Sequence, residues 1–474
     1  MEAGNKISGW RITSEVKSRF SFWHLFTIGF VLFIFTSSYT YINWGWRNSE
    51  TPFRSDAAQY YSYLPSWFGP DKDILKHARE FWPIVTPTGR LIPKMPLGVA
   101  LLEMPYYLAG DFIAGKYDYL QDGYSPPYTW SVYFGTILYV YLGLWLLYRS
   151  LKIYFSGLVS TLTAGVLFFA TNLFFYTVSF GQMAHSFLFF LFSVFLFFSL
   201  KFYRQRKPSS LYIMAFTAGL ITITRPTGII VVLFPLLTGV TGLVSLREWW
   251  SFLWSKKLNL MIAVLLYLAA LSPQLIYWKI NTGRFYFDTY TGEKFFFNDP
   301  QIINFLFSYR KGLFLYSPIL LFGFAGLPLL YRKFRGLFLP VVVYCLVIIY
   351  VLSCWWDWSF GGSFGNRALI ESFPFFAFGI AAVINELFVL LNKGWKLFLR
   401  YAILVPALGF FIILNLRMTE AYNAGAIHWS GMTREAYWFV FMKSSYNAEE
   451  YRKLVSMYHE PDTEAQKKGL KRDF

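Results

Sequence analysis

Charged residues are scarce in this sequence. Asp, Glu, Lys and Arg together make up 15% of its 474 residues, whereas soluble domains carry about 25%. Hydrophobic residues reach 56%, and the mean hydropathy is +0.41. This composition excludes an ordinary soluble domain and indicates a membrane protein.

Cysteine and histidine are scarce as well. The two cysteines, Cys345 and Cys354, lie in or beside one hydrophobic run and form no Cys-x-x-Cys motif. The five histidines are scattered along the chain. The sequence therefore predicts two buried thiols and no Cys/His metal cluster.

What the sequence has instead is a series of long hydrophobic runs. Runs of about 18 or more apolar residues can cross a bilayer about 30 Å thick, so we expect an all-α polytopic membrane protein. The predicted spans are 22–42, 128–148, 157–176, 183–203, 209–224, 227–244, 258–278, 313–331, 337–354, 369–391 and 397–415. The apolar segment 96–113 contains Glu103 and Pro105 and is interpreted as an outer-face juxtamembrane helix.

The basic residues set the topology. With eleven spans, every short basic loop falls on the side of the N-terminus, which the positive-inside rule makes cytoplasmic. A twelfth crossing at 96–113 is the alternative, but it would move the later basic loops outside. The net charge of +17 follows from this distribution, so we expect no nucleic-acid partner.

This topology divides the chain into three parts. Residues 1–21 are predicted to be a cytoplasmic N-terminus, 22–415 a transmembrane domain and 416–474 an external C-terminal tail. The long outer loops within the transmembrane domain are 43–127, 279–312 and 355–368. Because these loops share one face of the membrane, we expect a single site there.

Asp56 is the acid around which this site is predicted to form. It follows the first span, within Arg54–Tyr61, at the outer boundary of the membrane. A carboxylate at this place does not belong to an apolar core, and the neighbouring Tyr60 and Tyr61 are predicted to contact substrate. Helix capping is the alternative role of Asp56, and the two roles are compatible.

Cations occur in the outer segments, where the positive-inside trend does not explain them. Lys94 precedes an apolar helix, and Arg225 lies in a Pro-Gly turn between two short apolar runs. Arg310 and Lys311 open the eighth span. A cation at a helix start suits a phosphate, and an arginine at membrane depth is a candidate functional residue. His185 lies in the other outer turn of this region.

The segment 355–367 combines tryptophan, glycine and charge. Trp356 and Trp358 offer indole faces for sugar rings, and Asp357 can accept hydrogen bonds from hydroxyl groups. Arg367 can bind a phosphate by donating two hydrogen bonds to it. Simple anchoring of the tryptophans at the interface is the alternative.

Two further acids, Asp71 and Asp73, stand two residues apart in the first outer loop. Such a pair can bind a divalent cation beside a phosphate, although solvated loop charge accounts for it as well. We therefore expect that no cofactor is required, with a divalent metal as the alternative.

In these residues the chain resembles the integral-membrane glycosyltransferases of the GT-C superfamily. That superfamily includes the protein O-mannosyltransferases and the bacterial transferases that add aminoarabinose to lipid A. The resemblance rests on Asp56 after the first span, on Lys94 within Pro93–Gly98, on the Arg225–Gly228 turn and on the Trp- and Gly-rich segment that ends at Arg367. It extends over about residues 20–415. The chain lacks the second acid that the mannosyltransferases place beside their catalytic aspartate.

The resemblance implies a GT-C-like bundle and an inverting transfer of sugar from a polyprenyl-phosphate donor to a hydroxyl acceptor. Asp56 would be the general base, and the five outer cations would bind the donor phosphate. The acceptor would be a glycan, a lipid or a protein, and the membrane a bacterial inner membrane with the site facing outward. The alternatives are a transporter or flippase of lipid-linked glycans and an O-antigen-type ligase or polymerase.

Overall fold

The structure is a computed structural model. It describes residues 28–29, 31–33, 35–36, 53–71, 75, 81–391, 394–443 and 445–470. The predicted N-terminal segment 1–21 and most of the first predicted span lie outside the described residues, although the described parts of 28–36 are helical.

The described chain is predominantly helical, as predicted. The longer α-helices are α1 (Ser55–Phe68), α2 (Gly98–Lys116), α3 (Pro126–Leu151), α4 (Gly157–Phe169), α6 (Ala184–Gln205), α7 (Pro208–Thr224), α9 (Leu243–Ser255), α10 (Lys257–Thr282), α15 (Arg335–Ser353), α16 (Phe373–Leu390) and α17 (Trp395–Asn423). The shorter ones are α5 (Phe175–Val178), α8 (Leu233–Leu237), α11 (Ile302–Phe307), α12 (Leu313–Tyr316), α13 (Leu321–Ala325), α14 (Leu327–Lys333), α18 (Arg434–Val440), α19 (Ala448–Val455) and α20 (Thr463–Lys467). Three 3-10 turns cover Pro226–Val232, Pro318–Leu320 and Arg367–Ser372.

Six helical stretches of the described chain are long and apolar enough to cross a membrane: Pro126–Leu151, Ala184–Gln205, Lys257–Thr282, Arg335–Ser353, Arg367–Leu390 and Phe398–Asn423. Three shorter apolar helical stretches, Gly157–Phe169, Pro208–Thr224 and Pro226–Leu237, coincide with other predicted spans. The chain is thus an integral membrane protein. The total of eleven crossings stays a prediction.

Three predicted spans are broken instead of continuous. The span predicted at 157–176 ends as α4 at Phe169, and the short α5 begins only at Phe175. The run predicted at 227–244 is a 3-10 turn, Pro226–Val232, that leads into the short α8 and ends at Leu237. Pro226 is the first residue of the turn, a position where the missing backbone N–H has no partner to lose. The run predicted at 313–331 is divided into short helices at Pro318 and Gly326. Broken helices leave backbone groups without intrahelical partners, and in a membrane they are tolerated inside protein or beside a cavity.

The helices pack around one large apolar core, formed by buried residues that extend from α1 to α19. In this core α10 packs against α7, and α3 against α6. The backbones of α13 and α16 approach each other closely, because a Cβ atom added to Gly379 would lie 2.6 Å from the carbonyl carbon of Gly323. Both cysteines are buried, as predicted, and they form no disulfide with each other.

A second core cluster lies beneath the first outer segment and joins α1, α2 and the start of α3. Between α1 and α2 the chain forms a two-stranded antiparallel sheet of β1 (Ile84–Val85) and β2 (Leu91–Ile92), with Ile84 opposite Ile92. The hydroxyl group of Thr86 donates to the carbonyl of Asn281 at 2.9 Å. This contact ties the first outer segment to the end of α10.

The C-terminal tail is folded onto the outer loops. α17 continues to Asn423, beyond the predicted boundary at 415. Farther along, the Tyr437 hydroxyl donates to the Leu315 carbonyl at 2.8 Å, and Lys467 lies 5.4 Å from the ring of Trp356. The tail therefore forms part of the wall around the outer segments.

Candidate active site

Asp56 lies in the first turn of α1 and pairs with Arg367. The Nη2 of Arg367 donates to Oδ2 of Asp56 at 3.1 Å, although the two residues are 311 positions apart. The Asp56 side chain is 21% exposed, and the Arg367 side chain is 14% exposed. The cap residue of α1 is Arg54, and its side chain makes no capping hydrogen bond. Asp56 is therefore not the N-cap residue, and its carboxylate faces the segment that ends at Arg367.

A second buried carboxylate, Glu371, lies one turn beyond Arg367. Its Oε1 accepts from Arg225 Nη1 at 2.8 Å, and its Oε2 lies 3.1 Å from His185 Nδ1. The guanidinium group of Arg225 also lies 4.9 Å from the ring of Phe360. The predicted residues Arg225 and His185 thus meet on one carboxylate that connects α6, the turn after α7 and the start of α16.

Two tyrosines, Tyr60 and Tyr290, interact electrostatically with Asp56 and Arg367 and also with Arg225. Burial raises the pKa of the Tyr60 phenol well above its usual range; Asp56 adds to this shift, and Arg225 and Arg367 oppose it. Burial and Asp56 likewise raise the pKa of Tyr290 to about 12. Both phenols therefore remain neutral hydrogen-bonding groups at physiological pH. Tyr60 lies beside the Asp56 site, as predicted from the sequence.

Lys94 is bound by an acid from the second long outer loop. Its ammonium group contacts the carboxylate of Glu293 and lies 4.8 Å from the ring of Tyr290. Glu293 also accepts from Trp356 Nε1 at 3.0 Å. The backbone N–H of Lys94 donates to Gln59 Oε1 at 3.1 Å, which attaches it to α1. Lys94 therefore belongs to the same cluster as α1 and the Trp-rich segment.

Arg310 and Lys311 point into the protein, and each side chain binds a backbone carbonyl. Arg310 is 1% exposed, and its Nε donates to the Ser430 carbonyl at 3.0 Å. Lys311 is also 1% exposed and donates to the Ser363 carbonyl. Burial and the positive charge of Arg310 lower the pKa of Lys311 well below its usual range. Arg310 thereby holds the tail at Ser430, and Lys311 holds the glycine-rich segment at Ser363. This structural role was not predicted from the sequence.

Asp357 and Trp358 also take part in structural contacts. Asp357 Oδ1 accepts from the backbone N–H and the hydroxyl group of Ser359, at 3.1 and 2.6 Å. It lies 3.9 Å from Arg310. Trp358 is 1% exposed and lies 5.6 Å from the Arg310 guanidinium. A buried indole of this kind packs against its neighbours, whereas Trp356 is only partly buried.

Tyr61 belongs to the second core cluster, not to the group of charged residues around Asp56. Tyr61 is fully buried in the second core, where its ring stacks on Phe53 at 3.6 Å and its hydroxyl group donates to the Gly123 carbonyl. This placement gives Tyr61 a packing role. Asp71 is exposed, and Asp73 lies outside the described residues. Among the described residues, no three His, Cys, Asp or Glu side chains form a group that could hold a metal ion.

Three residues of the cluster were missed in the sequence: Glu293, Tyr290 and Glu371. Glu371 carried a usable signal, because an acid within an apolar run is a functional candidate by default. Glu293 and Tyr290 carried none, since a polar and aromatic loop of that composition is common on a protein surface.

The cluster combines two chemical capabilities. Asp56 offers a carboxylate, oriented by Arg367, that can accept a proton. Lys94 lies at the ring of Tyr290, and Arg225 interacts electrostatically with Tyr60 and Tyr290. Both offer positive charge, and cations stabilise developing negative charge.

The family model for dolichyl-phosphate-mannose-protein mannosyltransferases matches residues 128–278. The match confirms the resemblance to the protein mannosyltransferases. It covers about a third of the chain, from α3 into α10, and includes His185 and Arg225. No curated protein matches this chain.

Among solved structures, the crystal structure of ArnT from Cupriavidus metallidurans bound to undecaprenyl phosphate matches with a TM-score of 0.48 and 14% sequence identity. The alignment covers 93% of this chain and 77% of that chain. Of these comparisons, only the family match bears on the function of this chain.

Proposed function

We propose that this chain is a membrane glycosyltransferase that moves a sugar from a polyprenyl-phosphate donor to a hydroxyl acceptor, with Asp56 as general base. The observation that carries the proposal is the ion pair between Asp56 and Arg367, beside neutral Tyr60 and Tyr290. The family match supports the class, because those enzymes are mannosyltransferases that use a dolichyl phosphate donor.

In the proposed reaction the acceptor hydroxyl attacks the anomeric carbon of the donor sugar, and Asp56 takes the hydroxyl proton. The new bond joins the acceptor oxygen to the sugar, and the bond between the sugar and the phosphate oxygen breaks with inversion. The electron pair of the broken bond leaves with the polyprenyl phosphate. Arg367 keeps the carboxylate in place, since its contact uses Oδ2. The proton goes to Asp56 Oδ1.

The donor phosphate belongs beside Lys94 and Arg225 in this proposal. Both side chains carry positive charge and retain some exposure, 29% for Lys94 and 17% for Arg225. Arg367 lies next to them on the Asp56 side. The buried pair of Arg310 and Lys311 supports the site from behind without touching the phosphate. The cations can carry the developing charge of the leaving group, so the proposal requires no metal.

The location follows from the topology argued from the sequence. The site faces the outside of the membrane, the N-terminus is cytoplasmic, and the membrane is a bacterial inner membrane. A lipid-linked donor reaches Lys94 from the outer leaflet, and a glycan, lipid or protein acceptor approaches from outside.

The test compares wild-type protein with Asp56→Asn and with the control Asp118→Asn. Asp118 is an exposed aspartate with a left-handed φ of 56°, a conformation that asparagine adopts readily. Purified protein is incubated with radiolabelled polyprenyl-phosphate sugars and a membrane extract as the source of acceptor. We expect Asp56→Asn to lower turnover by about 10²- to 10⁴-fold, and the control to keep wild-type turnover.

Wild-type turnover by Asp56→Asn would refute the assignment of the base. If wild-type protein turned over no donor but moved lipid-linked glycan across a vesicle membrane, the transporter alternative would replace the proposal. Transfer of a whole preassembled glycan, in place of a single sugar, would favour the ligase alternative.

A further inference from the structure

We propose that Glu293 and the donor phosphate are alternative partners of Lys94, so that the donor binds by displacing the Glu293 carboxylate. This inference rests on the proposed function, because it takes Lys94 as a ligand of the donor phosphate. It assigns a role to an acid that neither the sequence motifs nor the family match identifies, since Glu293 lies outside residues 128–278.

The geometry around the Lys94 ammonium carries the argument. Glu293 contacts the ammonium group directly, and the ring of Tyr290 faces it at 4.8 Å. The backbone N–H of Glu293 donates to the Tyr290 carbonyl at 2.9 Å, so one turn of the loop supplies both contacts. Lys94 itself is held on α1 through Gln59. The loop therefore covers the ammonium group of Lys94. The backbone of Lys94 is held separately, by its hydrogen bond with Gln59 of α1.

A phosphate at the same ammonium group would meet Glu293 at short range. Two negative groups a few ångströms apart repel strongly where burial limits screening, and the Glu293 side chain is only 14% exposed. The ammonium group therefore favours one anion at a time. In the proposed exchange, the Glu293 carboxylate occupies the place at Lys94 that the phosphate oxygens take.

The proposed exchange at Lys94 also affects Trp356. Glu293 also accepts from Trp356 Nε1 at 3.0 Å, and the Trp356 backbone N–H donates to the Lys294 carbonyl at 3.1 Å. A phosphate that displaces Glu293 consequently frees the Trp356 indole N–H beside the site. Donor binding is in this way linked to the Trp-rich segment predicted to contact the sugar.

The experiment measures the binding of a tritiated polyprenyl monophosphate, which carries no sugar, to purified protein in detergent. The variants are Glu293→Gln, Lys94→Gln and the double variant. Glutamine keeps the shape of Glu293 and its hydrogen bond with Trp356 while removing the charge. The control is Glu386→Gln, because Glu386 pairs with Lys333 in a comparable ion pair far from the site, with side chains 25% and 38% exposed.

We expect Glu293→Gln to lower the Kd for the polyprenyl monophosphate by about three- to tenfold, the upper end of the range for exposed ion pairs and slightly beyond it, because this pair is only partly exposed. Glu386→Gln should leave the Kd unchanged. Lys94→Gln should raise the Kd, and in that background Glu293→Gln should have a smaller effect, because the competition for the ammonium group is gone and only the direct repulsion between the two anions remains.

Three outcomes would overturn the inference. A raised or unchanged Kd for Glu293→Gln would mean that Glu293 orients Lys94 or is independent of the donor. An unchanged Kd for Lys94→Gln would remove Lys94 from the phosphate site. Equal effects of Glu293→Gln with and without Lys94 would place any competition elsewhere. Thermal unfolding of each variant verifies that the protein is folded.

Binding and turnover separate this inference from the proposed function. If the binding changes occur as expected but no donor is turned over, the exchange at Lys94 stands and the proposed transfer fails. If transfer depends on Asp56 while Glu293→Gln leaves the Kd unchanged, only the exchange fails.

Discussion

Replacing Glu371 with glutamine tests whether the buried charge group beside Asp56 holds the fold together. The carboxylate is shared by Arg225 at 2.8 Å and His185 at 3.1 Å, and its side chain is 6% exposed. Glutamine has nearly the same shape but offers one acceptor oxygen in place of two. After the substitution Arg225 lacks its counter-charge, and His185 keeps a hydrogen bond only by accepting from the glutamine amide in its other tautomer.

The expected cost follows from burial. Removing one partner of a buried ion pair costs about 3–5 kcal/mol, because the other charge is left uncompensated. Arg225 is 17% exposed, and water can solvate part of the freed guanidinium group, so we expect Glu371→Gln to cost about 3 kcal/mol. The double variant Arg225→Gln/Glu371→Gln leaves no uncompensated charge. It should cost less than the sum of the two single variants by about 1–3 kcal/mol.

The assay is reversible chemical unfolding of purified protein in detergent, monitored by tryptophan fluorescence. Glu386→Gln is the control, since its partner Lys333 is 38% exposed and a surface pair contributes about 1 kcal/mol or less. A cost for Glu371→Gln within the range of the control would refute the reasoning. Strict additivity of the two single variants would also refute it, because it would show that Arg225 and Glu371 do not stabilise each other.

Two further predictions concern Lys311 and Gly379. Because burial lowers the pKa of Lys311 well below its usual range, the unfolded chain binds a proton there that the folded chain does not. The free energy of unfolding should therefore rise with pH up to about 10.4, the usual pKa of lysine. Between about pH 8 and about pH 10 this rise should be smaller for Lys311→Met than for the wild type, and an equal rise would contradict the assignment. Gly379→Ala should destabilise the protein by about 1–3 kcal/mol, because the added methyl group meets the Gly323 backbone. The control is Gly409→Ala, because Gly409 lies within α17 and no atom lies near its added methyl group. It should be neutral or stabilise the protein by up to about 1 kcal/mol. Equal effects of the two variants would show that α13 and α16 do not pack as described.

Much of the helical framework could be predicted from the sequence, because apolar runs of bilayer length leave the backbone little alternative to a helix. Pro126–Leu151 and Ala184–Gln205 end within three residues of their predicted bounds. The breaks at Pro318 and Gly326 were harder to predict, since a mean over an apolar window does not register a single proline or glycine. Most of the first span, and Asp73, lie outside the described residues, so the predictions about them stay predictions.

The partners of the charged residues could not be predicted. A sequence shows that Asp56 and Arg367 are charged, but their contact spans 311 positions and depends on how α1 meets the start of α16. The same limit applies to Lys94, whose partner Glu293 lies in a loop of ordinary composition. Arg310 and Lys311 were expected to face a phosphate, yet both turn inward to backbone carbonyls. An exposed cation and a buried one have the same letter in a sequence, and only packing distinguishes them.

The degree of burial separates the charge pairs into two kinds. The pairs of the site that join separate segments are Asp56–Arg367, Lys94–Glu293, Arg225–Glu371 and Arg310–Asp357. Lys94 is the most exposed cation among them at 29%, and Glu371 the least exposed acid at 6%. Because leaving a charge unpaired costs more as burial increases, an incoming phosphate exchanges most readily with the partner of Lys94, whereas the partners of Glu371 stay in place. Loss of Glu293 should therefore appear in donor affinity and loss of Glu371 in stability.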